Sequence, residues 1–133
     1  MTACFADSYY YIALLNPRDS AHARATDVAR KLSRAVLTTE WVLTEVANVL
    51  SAPERRGVVA SFLAALRKTR GVEVLPASAD QFEGGLRLYA DRPDKSWSLT
   101  DCISFVTMTG HGLREALTGD HHFEQAGFRA LLK

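Results

Sequence analysis

The sequence predicts an α/β fold in which a mainly parallel sheet of four to five short strands is covered by helices on both faces. Three observations carry this. Brief apolar runs that read as strands alternate with longer stretches of helical periodicity. The strand candidates are only a few residues long, as buried parallel strands often are. A chain of 133 residues, 47% of them hydrophobic, falls within the size of one domain and can bury a real core. Residues 1–133 are therefore expected to form a single domain.

Cys4 to Ala6 is the first strand candidate. The apolar residues 9 to 15 that follow lack a preceding basic region and come after Asp7, so they read as mature protein rather than a signal sequence. Tyr9, Tyr10 and Tyr11 open a helix there, where at least two serve packing; stacking on bases is the alternative. Val36-Leu37-Thr38 is the second strand. The helix Glu40 to Leu50 comes next, its apolar stripe running through Val42, Val46, Val49 and Leu50. Glu45 lies at the edge of that stripe, with Asn48 on its face, and an acid bordering a buried surface needs a partner.

Val58, Val59, Phe62, Leu63 and Leu66 mark a further amphipathic helix, with Pro53 near its start and Gly71 past its end. Val72 to Leu75 is the third strand, and Ser78-Ala79-Asp80-Gln81 opens a helix with a capping box. Asp91 to Lys95, charged and containing Pro93, is the longest break; it reads equally as a solvated connection or a flap beside a site. Ser98 starts another helix, with Asp101 three residues on in the acidic place of a cap, and Gly110-His111-Gly112 stops it. Ala116-Leu117-Thr118 and Phe128 to Leu131 are the last strand candidates.

With 16 Lys+Arg against 15 Asp+Glu the net charge is +1, so a polyanion would have to meet a local basic patch. Arg55-Arg56 and Arg67-Lys68-Arg70 read as solvated helix faces, leaving Arg92 and Lys95, just before Asp101, as the better phosphate contacts. No segment approaches the ~18 apolar residues of a membrane span. Cys4 and Cys102 lie in apolar runs without metal-ligand spacing and read as small core residues of a reduced, cytoplasmic protein.

In open parallel sheets ligands gather beyond the carboxyl ends of the strands. Asp7 directly follows the first strand, Asp120 follows the fourth, Asp101 opens the helix leading into the fourth, and Glu45 lies in the helix after the second. Were these four to converge, each pair ~4 Å apart would repel by about 4 kcal/mol at an effective dielectric of 20. Such a cluster takes up protons or holds cations. Oxygen-only ligands favour Mg²⁺ or Mn²⁺ over zinc, and ions so held suit phosphate ester hydrolysis by metal-activated water. His121-His122 invites a zinc reading, but adjacent histidines are expected to diverge, which leaves them as loop or phosphate-proximal residues.

Asp7-Ser8 after a strand, Thr44-Glu45-Val46 in a helix, Leu99-Thr100-Asp101 opening a helix, and Thr118-Gly119-Asp120-His121-His122-Phe123 after a strand occur in that order. This ordered set resembles the PIN-domain family, and the length and spacing are similar to the VapC-type toxins of toxin–antitoxin pairs. The resemblance implies a three-layer α/β/α sandwich and an endoribonuclease dependent on one or two Mg²⁺ or Mn²⁺ ions. It makes Asp7, Glu45, Asp101 and Asp120 the catalytic metal-binding acids and Ser8 and Thr118 supporting hydroxyls. It also implies an RNA substrate, a small antitoxin partner and a homodimer. The chain departs from the pattern where many relatives place a further acid beside the last Asp; His121 and His122 stand there, and Glu124 is the acid nearby.

Two other classes compete. A receiver-like phosphoacceptor domain also gathers acids and Mg²⁺ at strand ends, but Asp7 has no acidic neighbour and the third strand ends in Leu75-Pro76-Ala77. A PIN-like fold kept only as a binding module would have no need of the full acid set.

Overall fold

In the computed structural model, which describes residues 2–133, the chain runs β1 (Cys4–Ala6), α1 (Ser8–Leu15), α2 (His22–Lys31), β2 (Val36–Thr39), α3 (Glu40–Val49), α4 (Pro53–Leu66), β3 (Val72–Leu75), α5 (Ala79–Asp91), α6 (Leu99–Gly110), β4 (Glu115–Leu117), α7 (His121–Gln125) and β5 (Arg129–Ala130). The five strands form one sheet in the order β3-β2-β1-β4-β5, every pairing parallel. Every residue of β1 and β2 is buried, as strands covered on both faces require. β3 and β5 form the edges.

This order places β1 between β2 and β4, so connections leave β1 in one direction for β2 and β3 and return past it to β4 and β5. The crevice at which the direction reverses lies between the carboxyl ends of β1 and β4, where ligands of such sheets bind. The order also sets aside the receiver-like reading, whose sheet runs 2-1-3-4-5.

Helix ends follow the sequence chemistry. Thr39 accepts from the Val42 amide to cap α3, and Ser78 and Ser98 close complete capping boxes with Gln81 and Asp101. α5 and α6 pack against each other, and Gly85 allows it: a Cβ there would collide with the Ile103 side chain and come within 3.0 Å of its Cα. Trp97, Phe105, Phe123 and Phe128 form an aromatic cluster in which Phe105 meets Phe123 edge-on at 4.9 Å. That cluster seats the short α7 on α6.

Several expectations need correction. Val49 and Val58, assigned to apolar stripes, are 59% and 63% exposed. Val49 ends α3 where the chain turns toward α4, and Leu50 takes the buried place; Val58 lies roughly 90° from the centre of a stripe that runs through Val59, Phe62 and Leu66. β4 starts and stops one residue early, at Glu115 and Leu117, and β5 is only two residues long. The break after Asp91 is anchored rather than loose: Arg92 forks onto Asp94 through two 2.9 Å bonds, and Trp97 is buried with its indole N–H donating to Gln125 Oε1 at 3.0 Å. Cys4 and Cys102 are buried free thiols, as expected. Among the described residues no helix is long and apolar enough to cross a membrane.

Candidate functional site

Asp7 follows β1 as the N-cap residue of α1, yet its side chain makes no cap bond and so is available to other groups. It is buried, with the Thr118 hydroxyl donating to its Oδ2 at 2.8 Å and the Ser8 hydroxyl 3.5 Å from its Oδ1. Ser8 gives its proton to Glu45 Oε1 in a short bond. Thr118 in turn accepts from the Asp120 amide at 3.1 Å, so one hydroxyl ties the end of β1 to the turn after β4. Thr118 thus bonds to Asp7 and Ser8 to Glu45.

Asp101 sits one turn into α6 and is 7% exposed. Its Oδ2 accepts from the Ser98 amide at 3.1 Å and from His122 Nδ1 at 3.0 Å. Asp120 caps α7, its Oδ1 accepting from the His122 amide at 2.9 Å. Glu45 is half-buried on the site-facing side of α3, and Ser8 is the partner its position demanded.

The four carboxylates act on one another electrostatically. Burial, followed by repulsion from Asp101 and Glu45, pushes Asp7 up to about 7 against the single lowering bond from Thr118 and a weaker one from the Ser8 backbone. Burial likewise raises Glu45, with Asp101 and Asp120 adding to the rise. Asp101 is raised by burial and by Asp120, opposed by the Ser98 amide and His122. Among the described residues no lysine or arginine forms an ion pair with any of the four; their cationic-type neighbours are His121 and His122 alone. The Ser104 hydroxyl, three residues past Asp101 on the same face of α6, is the one buried side-chain polar atom without a hydrogen-bond partner among them.

Arg92 and Lys95 fall elsewhere. They lie over the Trp97 ring, 5.2 and 6.0 Å from its centroid, and neither bonds to the acids. Arg92 holds the Asp94 carboxyl well below its usual range, chiefly through their hydrogen bonds. Glu124 points away, pairing with Lys133 at 3.0 Å. The histidines do not diverge: their rings are 4.5 Å apart and both turn back onto Asp120. His122, part-buried against Asp101, is the site residue that motif reading passed over. The doubled histidine after Thr-Gly-Asp was its only signal.

Gly119, between Thr118 and Asp120, carries the ring of Tyr9 across it; a Cβ there would lie 2.6 to 2.8 Å from the ring's outer atoms. Tyr10 and Tyr11 are core residues, and Tyr9 is the exposed one.

Fold and site together define a parallel α/β domain that collects acids over the reversal point of its sheet. The chain belongs to the PIN domain family, whose model matches residues 4–129. In structure it is similar to VapC20 of Mycobacterium tuberculosis, a sarcin–ricin loop cleaving toxin, with a TM-score of 0.86 and 26% identity over 96% of each chain. It shares its fold with FitAcB of Neisseria gonorrhoeae (TM-score 0.69, 18% identity, 97% of this chain and 95% of that one). The same holds for VapBC2 of Rickettsia felis bound to a promoter DNA fragment (TM-score 0.65, 13% identity, 97% of each). No curated protein matches the sequence.

Proposed function

We propose that residues 1–133 act as one PIN-domain endoribonuclease, the toxin of a toxin–antitoxin pair, cleaving RNA phosphodiester bonds with the help of divalent cations. The observation that carries it is the uncompensated acid cluster: Asp7, Glu45, Asp101 and Asp120 come together from four different elements, Asp7 and Asp101 buried, and among the described residues no lysine or arginine pairs with them. A purely oxygen donor set of this charge fits Mg²⁺ or Mn²⁺. When bound there, such ions supply an activated water and stabilise the leaving oxygen of a phosphodiester.

The chain's own residues do the arranging. Thr118 fixes the Asp7 carboxylate while holding the Asp120 turn, Ser8 fixes Glu45, and the α6 cap with His122 fixes Asp101. Each acid therefore meets its ligand in a set orientation rather than a free one. The closed capping boxes and the aromatic cluster under α7 hold that arrangement against repulsion. Arg92 and Lys95, beyond the buried acids, are the proposed contacts for RNA phosphates, although the Asp94 fork offsets part of the Arg92 charge.

An RNA substrate agrees with VapC20 being a sarcin–ricin loop cleaving toxin. A small antitoxin and a homodimer follow from the VapC-type resemblance, and a cytoplasmic location suits two free thiols. In the test, a sarcin–ricin loop hairpin is incubated with wild type and Asp120→Ala, with and without Mg²⁺ or Mn²⁺. Metal-dependent cleavage by the wild type and its loss in the variant are expected. Cleavage at an equal rate by both, or in chelator, overturns the reading.

A further inference from the structure

Both histidines turn toward the acids, yet the nuclease reading uses only His122, and that only to hold Asp101. Donor atoms of Asp120, His121 and His122 all lie within 4.8 Å of one another. His122 Nδ1 is 3.0 Å from Asp101 Oδ2 and 3.6 Å from Asp120 Oδ1, and His121 Nδ1 is 3.6 Å from the same Asp120 oxygen. An ion with ligand bonds of ~2.0 to 2.2 Å holds neighbouring donors about 3 Å apart at right angles and about 3.5 Å apart at tetrahedral angles. The separations among Asp120 and the two histidines therefore match a chelating set, with Asp101 bonded to His122 at its edge. The side chains of that set also have a graded exposure, His122 18%, Asp120 28% and His121 65%, which leaves an open side for entry.

We propose that His121 and His122 join Asp120 in a mixed nitrogen–oxygen site for a divalent transition ion such as Co²⁺, Mn²⁺ or Zn²⁺, at the rim of the acid cluster, with Asp101 beside it as the partner of His122. Its oxygen half rests on the acid-site reading above. Its nitrogen half is independent of it. Imidazole donors favour transition ions over Mg²⁺, and the order of affinity rises from Mn²⁺ through Co²⁺. Without metal His122 carries its proton on Nδ1 and donates it to Asp101, which holds the ring in place; when an ion binds, the proton sits on Nε2 instead and Nδ1 is free to ligate. Mg²⁺ keeps to the oxygen-only positions around Asp7.

The simpler alternative is that His122 only positions Asp101, and His122→Asn separates the two. The asparagine amide stands where Nδ1 stands and can still donate to Asp101, but it offers no imidazole. The full chain, His121→Ala and His122→Asn are titrated by calorimetry with Co²⁺ and with Mg²⁺, and Mn²⁺-loaded samples are examined by pulsed EPR for ¹⁴N coupling. The expected result is ¹⁴N coupling in the wild type that disappears in His122→Asn. Co²⁺ binding should weaken roughly 10 to 100-fold in that variant while Mg²⁺ binding stays unchanged. Mn²⁺ that binds the wild type without ¹⁴N coupling, or Co²⁺ affinity equal in wild type and His122→Asn, overturns this proposal and leaves the oxygen site standing. Failure of every ion to bind, together with no RNA cleavage, overturns both.

Discussion

The two ends of β4 treat carboxylates in opposite ways. At its amino end Glu115 is flanked by Arg34 at 2.7 Å and Arg129 at 3.2 Å, and Arg34 also donates to the Thr2 carbonyl at 2.8 Å. Beyond its carboxyl end Asp120 lies with Asp7, Glu45 and Asp101, and among the described residues none of the four pairs with a guanidinium or ammonium group. The chain thus pairs an acid with bases at one end of a three-residue strand and withholds them at the other. Glu115 is an acid whose charge is balanced, while the crevice holds acids whose mutual repulsion fits the proposed metal site.

The sharpest way to break this contrast is to mutate one end at a time. Asp7→Ala should lower RNA cleavage by more than roughly 100-fold while leaving the fold intact by circular dichroism. Arg34→Ala should leave cleavage by the folded protein within a few fold and instead cost about 2 kcal/mol in denaturant unfolding, the usual worth of hydrogen bonds to a charged group. A strong loss of cleavage in the folded Arg34 variant would erase the distinction.

pH separates the ends next. In the folded protein without divalent ions Asp7 keeps its proton up to about pH 7, whereas an unfolded Asp releases it near ~3.9. The native state therefore binds the extra proton across that interval, so stability falls as pH rises from about 4 to 7. Glu45 and Asp101, also raised, add in the same direction. Metal-free melting temperature should drop by several degrees between pH 5 and pH 8; Mg²⁺ should restore most of the loss, and Asp7→Asn should flatten the profile. A melting temperature that climbs over this range contradicts the assignment.

Asp101→Asn tests the capping role against the charge. Without metal, removing the repulsion offsets the weakened cap, and the melting temperature should be unchanged or slightly higher, within about 1 kcal/mol. Addition of Mg²⁺ should then stabilise this variant less than the wild type. The smallest effect belongs to Gly119→Ala, where the new methyl meets only the outer atoms of the Tyr9 ring; a loss below about 1 kcal/mol is expected, while Gly85→Ala, against the Ile103 backbone, should cost several times more.

How far these features were legible depends on what writes them. β1 matches the strand read from the sequence because it is a buried, continuous apolar run, and β3, an edge strand with Glu73 exposed, matches because its two valines and leucine mark it; the Ser78 and Ser98 boxes were readable because capping is local. α2 was not, since its stripe of Ala25, Val28 and Ala29 is built mostly of small residues in an otherwise polar segment, and only Ala25 is buried. The four acids could be named as candidates from strand ends and their order, and the structure brings them within electrostatic reach of one another. What the sequence hid was direction. Whether Arg92 reaches toward the crevice or forks onto Asp94, and whether two adjacent imidazoles part or fold back on the preceding Asp, depends on side-chain rotamers set by neighbours distant in sequence.

The Thr118 to Asp7 bond spans 111 residues. A chain growing on a ribosome has made Asp7 and Glu45 long before it makes the hydroxyl that orients the first of them, and Asp120 comes two residues later still. The crevice therefore closes only when β4 docks beside β1, across one of the longest sequence separations among the described residues. On the nuclease reading, that order keeps the proposed cutting centre unassembled until Asp120 has been made, so a copy stalled before β4 would be inert.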